Sequence, residues 1–374
     1  MRIAVNTRLL LKGKLEGIGW FTYENFERIT KQHPEHQFFF LFDRPYSDDF
    51  IFASNVTPII LKPQSRHPIL WYIWFEWAVE KFLKKHKIDI FVSPDGYLSL
   101  KTDIPQLAVI HDINFYHNPK GLPLITSWYF NKYFPKFAYK AKRIVTVSEY
   151  SKTDIVNCYK IDEKKIDVVY NGANIAFSPI SEDEATETRV KISGGTPYFV
   201  FVGAFNPRKN VDGLIKAYSI FREKTNSNIK LVLVGEPMFK TKAIQNAFNH
   251  CPFKDDIIFT GRREINELRS IIGASFAMVY PSFFEGFGIP VLEAIKCEVP
   301  LAVSNTTSIP EVAGNAAIYF DPSNIDSIAD SMVYLWSNES LRNELIKNAK
   351  MQGEQFNWDI SAVKLYDSIM RSLE

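Results

Sequence analysis

The chain has 374 residues, 46% of them hydrophobic and 23% charged, ordinary globular values that exclude a disordered or collagen-like polymer. At roughly 150 residues per domain the length implies two domains, each able to bury a core without disulfide or metal staples. The net charge of +2 hides an asymmetry: residues 1–175 carry 24 Lys+Arg against 18 Asp+Glu, and the remainder 20 against 24, so the halves meet different partners, neither basic enough to demand nucleic acid.

Cys158, Cys251 and Cys297 are odd in number and far apart, and no Cys/His spacing suits zinc. The opening MRIAVNTRLL lacks a secretory pattern, and the longest uncharged apolar run, ILWYIWF at 69–75, is far too short to span a bilayer. A soluble cytoplasmic protein is the expectation.

In the first half, strands are expected at 2–6, 37–42, 88–93, 106–111 and 143–148, with helices around 18–32, 69–86 and 125–141. A second series starts at YFVFVG (198–203) and continues at 230–235, 256–261, 276–281, 299–304 and 316–320. Between them SPISEDEATETRVKISGGTP (178–197) reads as a polar linker or mobile surface segment, and helices near 325–337, 340–352 and 358–373 close the chain. Strands alternating with helices predict two α/β domains with parallel sheets. Ligands of such sheets sit beyond the carboxyl ends of the strands, so the residues just after each strand carry the functional signal.

In chain order, LEGIGWFTYE (15–24) places Gly17 and Gly19 at a helix start, and with Asp43 ending the next strand it invites a dinucleotide reading. The spacing argues against that: residues 7–16 intervene after the strand, and Thr22 stands where a third glycine belongs. Residues 116–143 hold six bases and no acid, with Phe130, Phe134, Phe137 and Ala141 on one helical face and Lys132, Lys136, Lys140 and Arg143 opposite. With the aromatic, lysine-bearing 69–85 segment, this raises peripheral contact with an anionic membrane beside the plainer reading of a solvated face. His111 and Asp112 end the strand QLAVIH; the histidine could be a general base, a metal ligand or a satisfied core group, and no neighbouring residue spacing supports a metal.

After YFVFVG, the loop AFNPRKN sets Arg208 and Lys209 before a helix with Asn210 as its N-cap, two cations placed to neutralise a pyrophosphate. The segment YPSFFEGFGIPVLEAIKCEVP (280–300) is the most informative. Pro290 suits the first helical position, which would leave the N–H groups of Ile289, Val291 and Leu292 unpaired as an anion site with the helix dipole behind them. Gly286 and Gly288 allow close approach beside Phe287, while Glu285 and Glu293 would accept hydrogen bonds from hydroxyls. Together they suggest a polyhydroxylated phosphate ester such as a nucleotide sugar; the alternative makes both glutamates dipole partners on a solvated loop.

Glu285 and Glu293, with seven residues between, form a Glu-x7-Glu pattern that resembles retaining glycosyltransferases of family 4. VGAFNPRKN (202–210), AVIHD (108–112), TVSEYSKTDI (146–155), IPEVAG (309–314) and FNWDISAVKLYDSIM (356–370) are similar to family segments in the same order. The resemblance implies the GT-B fold, two Rossmann-like parallel-sheet domains facing across a cleft: residues 1–178 for the acceptor, 179–356 for the donor, and helix 357–374 packing back on the first. It implies that Arg208, Lys209 and the 289–292 amides hold the diphosphate, with Phe287 and Gly288 also binding the donor, that Glu285 orients the sugar hydroxyls and Glu293 takes the ribose, and that His111 is a ligand of the donor sugar. Gly17 or Gly19 would approach the diphosphate, and Arg262, where family members often carry an aromatic or small apolar residue, would meet the base.

The implied activity is metal-independent and cofactor-free transfer of a hexose to a glycan or lipid-linked saccharide in surface polysaccharide or lipopolysaccharide synthesis. GDP-mannose is the first donor candidate and UDP-sugars the next; no Asp-x-Asp metal motif occurs. The expected location is cytoplasmic, including the inner face of the plasma membrane. Two competing readings are a non-catalytic GT-B sugar-nucleotide-binding module and an oxidoreductase built on Gly17, Gly19 and Asp43.

Overall fold

The computed structural model describes residues 1–238 and 241–374. It divides into two compact units, Met1–Asn171 with Asn357–Glu374, and Gly172–Phe356.

The first unit contains strands Arg2–Asn6 (β1), Gln37–Phe42 (β2), Val56–Ile60 (β3), Ile90–Ser93 (β4), Gln106–Val109 (β5), Arg143–Thr146 (β6) and Ile166–Val168 (β7), all parallel in the order β3-β2-β1-β4-β5-β6-β7. Continuous apolar runs such as Phe38–Phe42, buried throughout, are what a sheet covered on both faces demands. The sequence reading missed β3 and β7. β3 carries Pro58 and is tolerated because it is an edge strand. β7 has three residues, too few to show a pattern.

Arg143, expected on the helix's basic face, lies in β6 instead, where its guanidinium grips both oxygens of Asp167 at 2.7 Å. The helix itself, Leu124–Lys140, ends before it at Ala141, which is out of helical conformation (ψ 139°). The closing helix Trp358–Arg371 lies against Gly17–Gln32, joined by Ser361 Oγ donating to Asn25 Oδ1 at 2.9 Å and by the Arg28–Asp359 ion pair at 2.6 Å.

The second unit contains Tyr198–Val202 (β8), Lys230–Val234 (β9), Ile257–Gly261 (β10), Ala277–Tyr280 (β11), Leu301–Ser304 (β12) and Ala317–Phe320 (β13), parallel in the order β10-β9-β8-β11-β12-β13. The 178–197 stretch expected as a linker is a helix over Glu182–Ser193. Ser181 caps its first turn, Gly194 ends it in the left-handed region, and Glu184 anchors it to Arg269 (3.1 Å) and Ser270 (2.7 Å). Its polarity reflects a surface helix held by ion pairs, which lacks the apolar stripe that periodicity detects.

In each sheet the strand order reverses once beside the first strand, between β1 and β4 and between β8 and β11. Such switch points open a crevice at the carboxyl ends, where parallel sheets bind ligands.

Candidate active site

β8 and β11 flank the switch point of the second unit. Beyond β8, Gly203 turns the chain into one tight 3-10 turn, Pro207–Lys209, before the helix Val211–Thr225. Asn210 stands at the N-cap with left-handed φ (54°), but its side chain donates to the Pro322 carbonyl at 2.7 Å and caps nothing. The turn directs the Lys209 side chain, buried, onto the end of β11. There its Nζ donates to the Tyr280 hydroxyl and, at 2.7 Å, to Glu285 Oε1.

Arg208 completes the arrangement from the other side. Its guanidinium is 2.7 Å from Glu285 Oε2 and donates to the Phe284 carbonyl at 2.6 Å. Glu285 is buried and also accepts from Ser282 Oγ and from the Tyr280 hydroxyl at 3.2 Å. Its own backbone is fixed by Thr307 and Ser308: its N–H donates to Thr307 Oγ1 (3.1 Å), and its carbonyl accepts from Ser308 Oγ (2.8 Å). Burial alone would push this carboxyl up. Arg208, Lys209 and the Ser282 hydrogen bond more than reverse that and hold it down at about 2, ionised at every working pH.

The helix Ile289–Lys296 starts beside this cluster with Gly288 at its N-cap. Gly288 has φ +102°, a conformation that L side chains rarely adopt, and a Cβ there would come within 2.6 Å of Ile309 Cδ1, which would have to move aside. The expected row of free amides needs correction. The helix begins one residue earlier than Pro290, so proline takes the second position, and Val291 and Leu292 donate to the Gly288 carbonyl (2.9 and 3.3 Å). At this helix start the N–H groups of Gly288 and Ile289 have no protein acceptor among the described residues. Phe287 is buried with its ring 5.5 Å from Phe356.

Glu293, in this helix, contrasts with Glu285. Burial pushes its carboxyl up to about 8, against a smaller opposing pull from Lys209. At neutral pH it therefore carries a proton, and two cations face one ionised carboxylate. The cluster keeps a surplus positive charge beside a helix N-terminus, the condition for binding an anion.

Arg262 is exposed immediately after β10. Just before it, Gly261 borders a cavity of about 400 Å³ lined by Phe205, Pro237, Ile244, Phe248 and Phe259.

Gly17, Gly19 and His111 belong to the first unit. Gly17 opens its helix exposed, whereas Gly19 is buried, and a Cβ there would meet the Leu9 carbonyl at 3.0 Å. The open backbone is thus at Gly17. His111 Nε2 lies 2.9 Å from the Pro94 carbonyl; a carbonyl only accepts, so Nε2 carries the hydrogen and Nδ1 is the acceptor of the neutral ring. Burial lowers its pKa, keeping it neutral at pH 7. Asp112 is structural, accepting from the Asn114 N–H at 2.9 Å. Asp43, the acid of the dinucleotide reading, has its carboxylate engaged by Arg44 (2.6 Å) and by the Ser65 N–H and hydroxyl (2.9 and 2.8 Å).

The sequence reading missed Tyr280, Ser282, Thr307 and Ser308 around Glu285, and the buried Arg8–Asp95 pair (2.6 Å) at the switch point of the first unit. The polar run Asn305–Ser308 directly after β12 was a usable signal, because polar residues at that end of a parallel sheet face the ligand crevice.

Two all-parallel sheets of this order, one in each unit, are the architecture of the GT-B fold. The solved structure of Anabaena Alr3699/HepE in complex with UDP and glucose superposes with a TM-score of 0.73 at 16% identity, covering 98% of this chain and 99% of that one. The chain belongs to glycosyltransferase family 4: residues 16–177 match the model "Glycosyltransferase Family 4" and residues 182–352 the model "Glycosyl transferases group 1". It is 28% identical over 278 residues to the O-antigen chain mannosyltransferase B of Escherichia coli, covering 74% of this chain and 73% of the relative. It is also 28% identical over 274 residues to the O-antigen chain mannosyltransferase RfbU of Salmonella typhimurium, covering 72% and 71%.

Proposed function

We propose that the chain is a retaining hexosyltransferase of surface polysaccharide synthesis, with GDP-mannose as donor and a glycan or lipid-linked saccharide as acceptor. The observation that carries this is the Arg208–Glu285–Lys209 cluster at the β8/β11 switch point, beside the open amides of Gly288 and Ile289. The cations and amides receive the diphosphate and stabilise the leaving nucleoside diphosphate as charge develops on it. Glu285, held ionised, accepts from the sugar hydroxyls. Protonated Glu293 contacts the ribose without adding a negative charge next to the phosphates.

Because both Glu285 oxygens are engaged by cations, this carboxylate is a poor nucleophile, which favours a reaction without a glycosyl-enzyme intermediate. The base lies by Gly261 and Arg262; in the first unit, His111 Nδ1 is an acceptor suited to a sugar hydroxyl and Gly17 a backbone open to an anion. Mannose is supported by the relatives' names; a UDP-sugar donor is favoured instead by the likeness to a protein solved with UDP and glucose. Side chains and amides take the charge-neutralising role in this reading, with no metal or other cofactor.

The test is release of GDP or UDP from a panel of nucleotide sugars with a saccharide-lipid extract as acceptor, with and without chelator, and the product anomer read by NMR. GDP-mannose turnover that survives chelation and gives an α-linked product is the expected result. Absence of turnover with every donor would overturn the transferase reading in favour of a binding module.

A further inference from the structure

Two helical segments of the first unit hold large apolar side chains in water. Pro68–Ile73 continues through a π-helical stretch, Trp74–Val79, into Glu80–Lys85. The wide π turn sets an unusual register. Glu76 points inward, where it accepts from the backbone N–H groups of Leu100 (2.9 Å) and Lys101 (3.1 Å) and from Ser99 Oγ (3.3 Å). The next residue, Trp77, points outward at 62% exposure, in line with exposed Ile69, Tyr72 and Ile73.

The second segment, Leu124–Lys140, begins with Leu124 at 87% exposure and continues with Ile125 and Trp128, at 56% and 55%. Tyr72 meets Tyr133 at 6.0 Å between ring centroids and Trp71 stacks on Phe130 at 5.6 Å, so the two rows adjoin. Lysines are interleaved among the rings: Lys132 stands 4.5 Å over Trp128, Lys136 5.6 Å over Tyr133, and Lys101 4.8 Å over Trp77.

We propose that this face docks the protein on an anionic lipid bilayer, with Trp77 and Trp128 as the interfacial anchors. A protein interface concentrates aromatics and depletes lysine at its centre; here the ammonium groups sit on the rings themselves. Amphipathic aromatics beside lysines suit the headgroup layer, where the ring enters the acyl boundary and the ammonium meets lipid phosphate. Residues 116–143 hold no acid to repel that surface. No described helix is long and apolar enough to cross a membrane, so the contact is one that lies on the bilayer.

Co-sedimentation with vesicles of phosphatidylcholine, with or without phosphatidylglycerol, tests this independently of transfer, because no donor or acceptor is present. The full chain is expected to partition onto the anionic vesicles and to leave them as salt rises. Replacing both anchors (Trp77→Ser with Trp128→Ser) lowers partition by roughly tenfold or more. Lys132→Gln and Lys136→Gln each lower it roughly fivefold, corresponding to about 1 kcal/mol per base. All four side chains are exposed, so melting curves stay close to wild type. Wild-type protein that ignores anionic vesicles, variants that bind as well as wild type, or a dimer dissolved by the same tryptophan pair without vesicle binding would each overturn the proposal.

Discussion

The Lys209 ammonium lies 2.7 Å from the Glu285 carboxylate, both groups buried, and the two come from segments that follow different strands of one sheet. A buried pair of this kind is costly to break from one side, because the survivor is left desolvated. Lys209→Ala is therefore expected to lose about 3 kcal/mol of stability, with Arg208 retaining part of Glu285's compensation. Transfer should fall on the order of 10²-fold or more in both Lys209→Ala and Glu285→Ala. Denaturant melts and initial rates on the same preparations check both halves; near-wild-type turnover in both variants would remove the assignment.

Glu293 makes stability depend on pH in the opposite direction to Glu285. Its carboxyl is raised to about 8 in the folded chain, whereas the unfolded chain releases the proton near 4.5. The protonated form is thus fully favourable below pH 4.5, and stability is lost as pH rises through about 8. Glu293→Gln, which cannot ionise, should gain several degrees in Tm at pH 8 and nothing near pH 4. Equal shifts at both pH values would show that the carboxyl is not titrating in this range.

Gly288 is held by two separate constraints, a φ of +102° and the nearness of Ile309. Gly288→Ala is expected to cost about 2–4 kcal/mol, combining backbone strain with overpacking. Adding Ile309→Val removes the Cδ1 atom in the way and should restore the packing part while leaving the backbone part. If the single variant melts like wild type, the left-handed N-cap is not the native geometry.

His111 donates from Nε2 to Pro94 and offers Nδ1 as an acceptor only while neutral. Its pKa is lowered by burial, so transfer should stay level across neutral pH and decline on the acid side, where Nδ1 gains a proton. His111→Gln is expected to be slower and to lack that acid limb. An unchanged profile of kcat against pH in the variant would assign the limb to another group.

Sequence pattern alone revealed the strands that are buried on both faces, because Tyr198–Val202 or Phe38–Phe42 can serve nothing else. It failed where geometry rather than composition decides. The Glu182–Ser193 helix has no apolar stripe, and the π turn at Trp74–Val79 shifts one register without any marker residue. The acidic pair and the Arg208–Lys209 loop were legible from spacing and strand ends. Their direct ion pairing was not, since it depends on a 3-10 turn that brings Lys209 under Tyr280. The free amides were misplaced by one position because Pro290, favoured at the first helical position, is tolerated at the second, where its missing N–H also costs no helical hydrogen bond.

Equilibrium titration with GDP and UDP is the sharpest test of the proposal that the cations holding Glu285 also receive the donor diphosphate. Arg208 is the variant to use, since it is partly exposed and its loss leaves the Lys209–Glu285 pair in place. Wild-type protein is predicted to bind one of the two nucleotides with or without chelator, and Arg208→Ala to bind it roughly tenfold or more weakly. Arg208→Ala binding the nucleotide as tightly as wild type would put the diphosphate elsewhere than on this cluster.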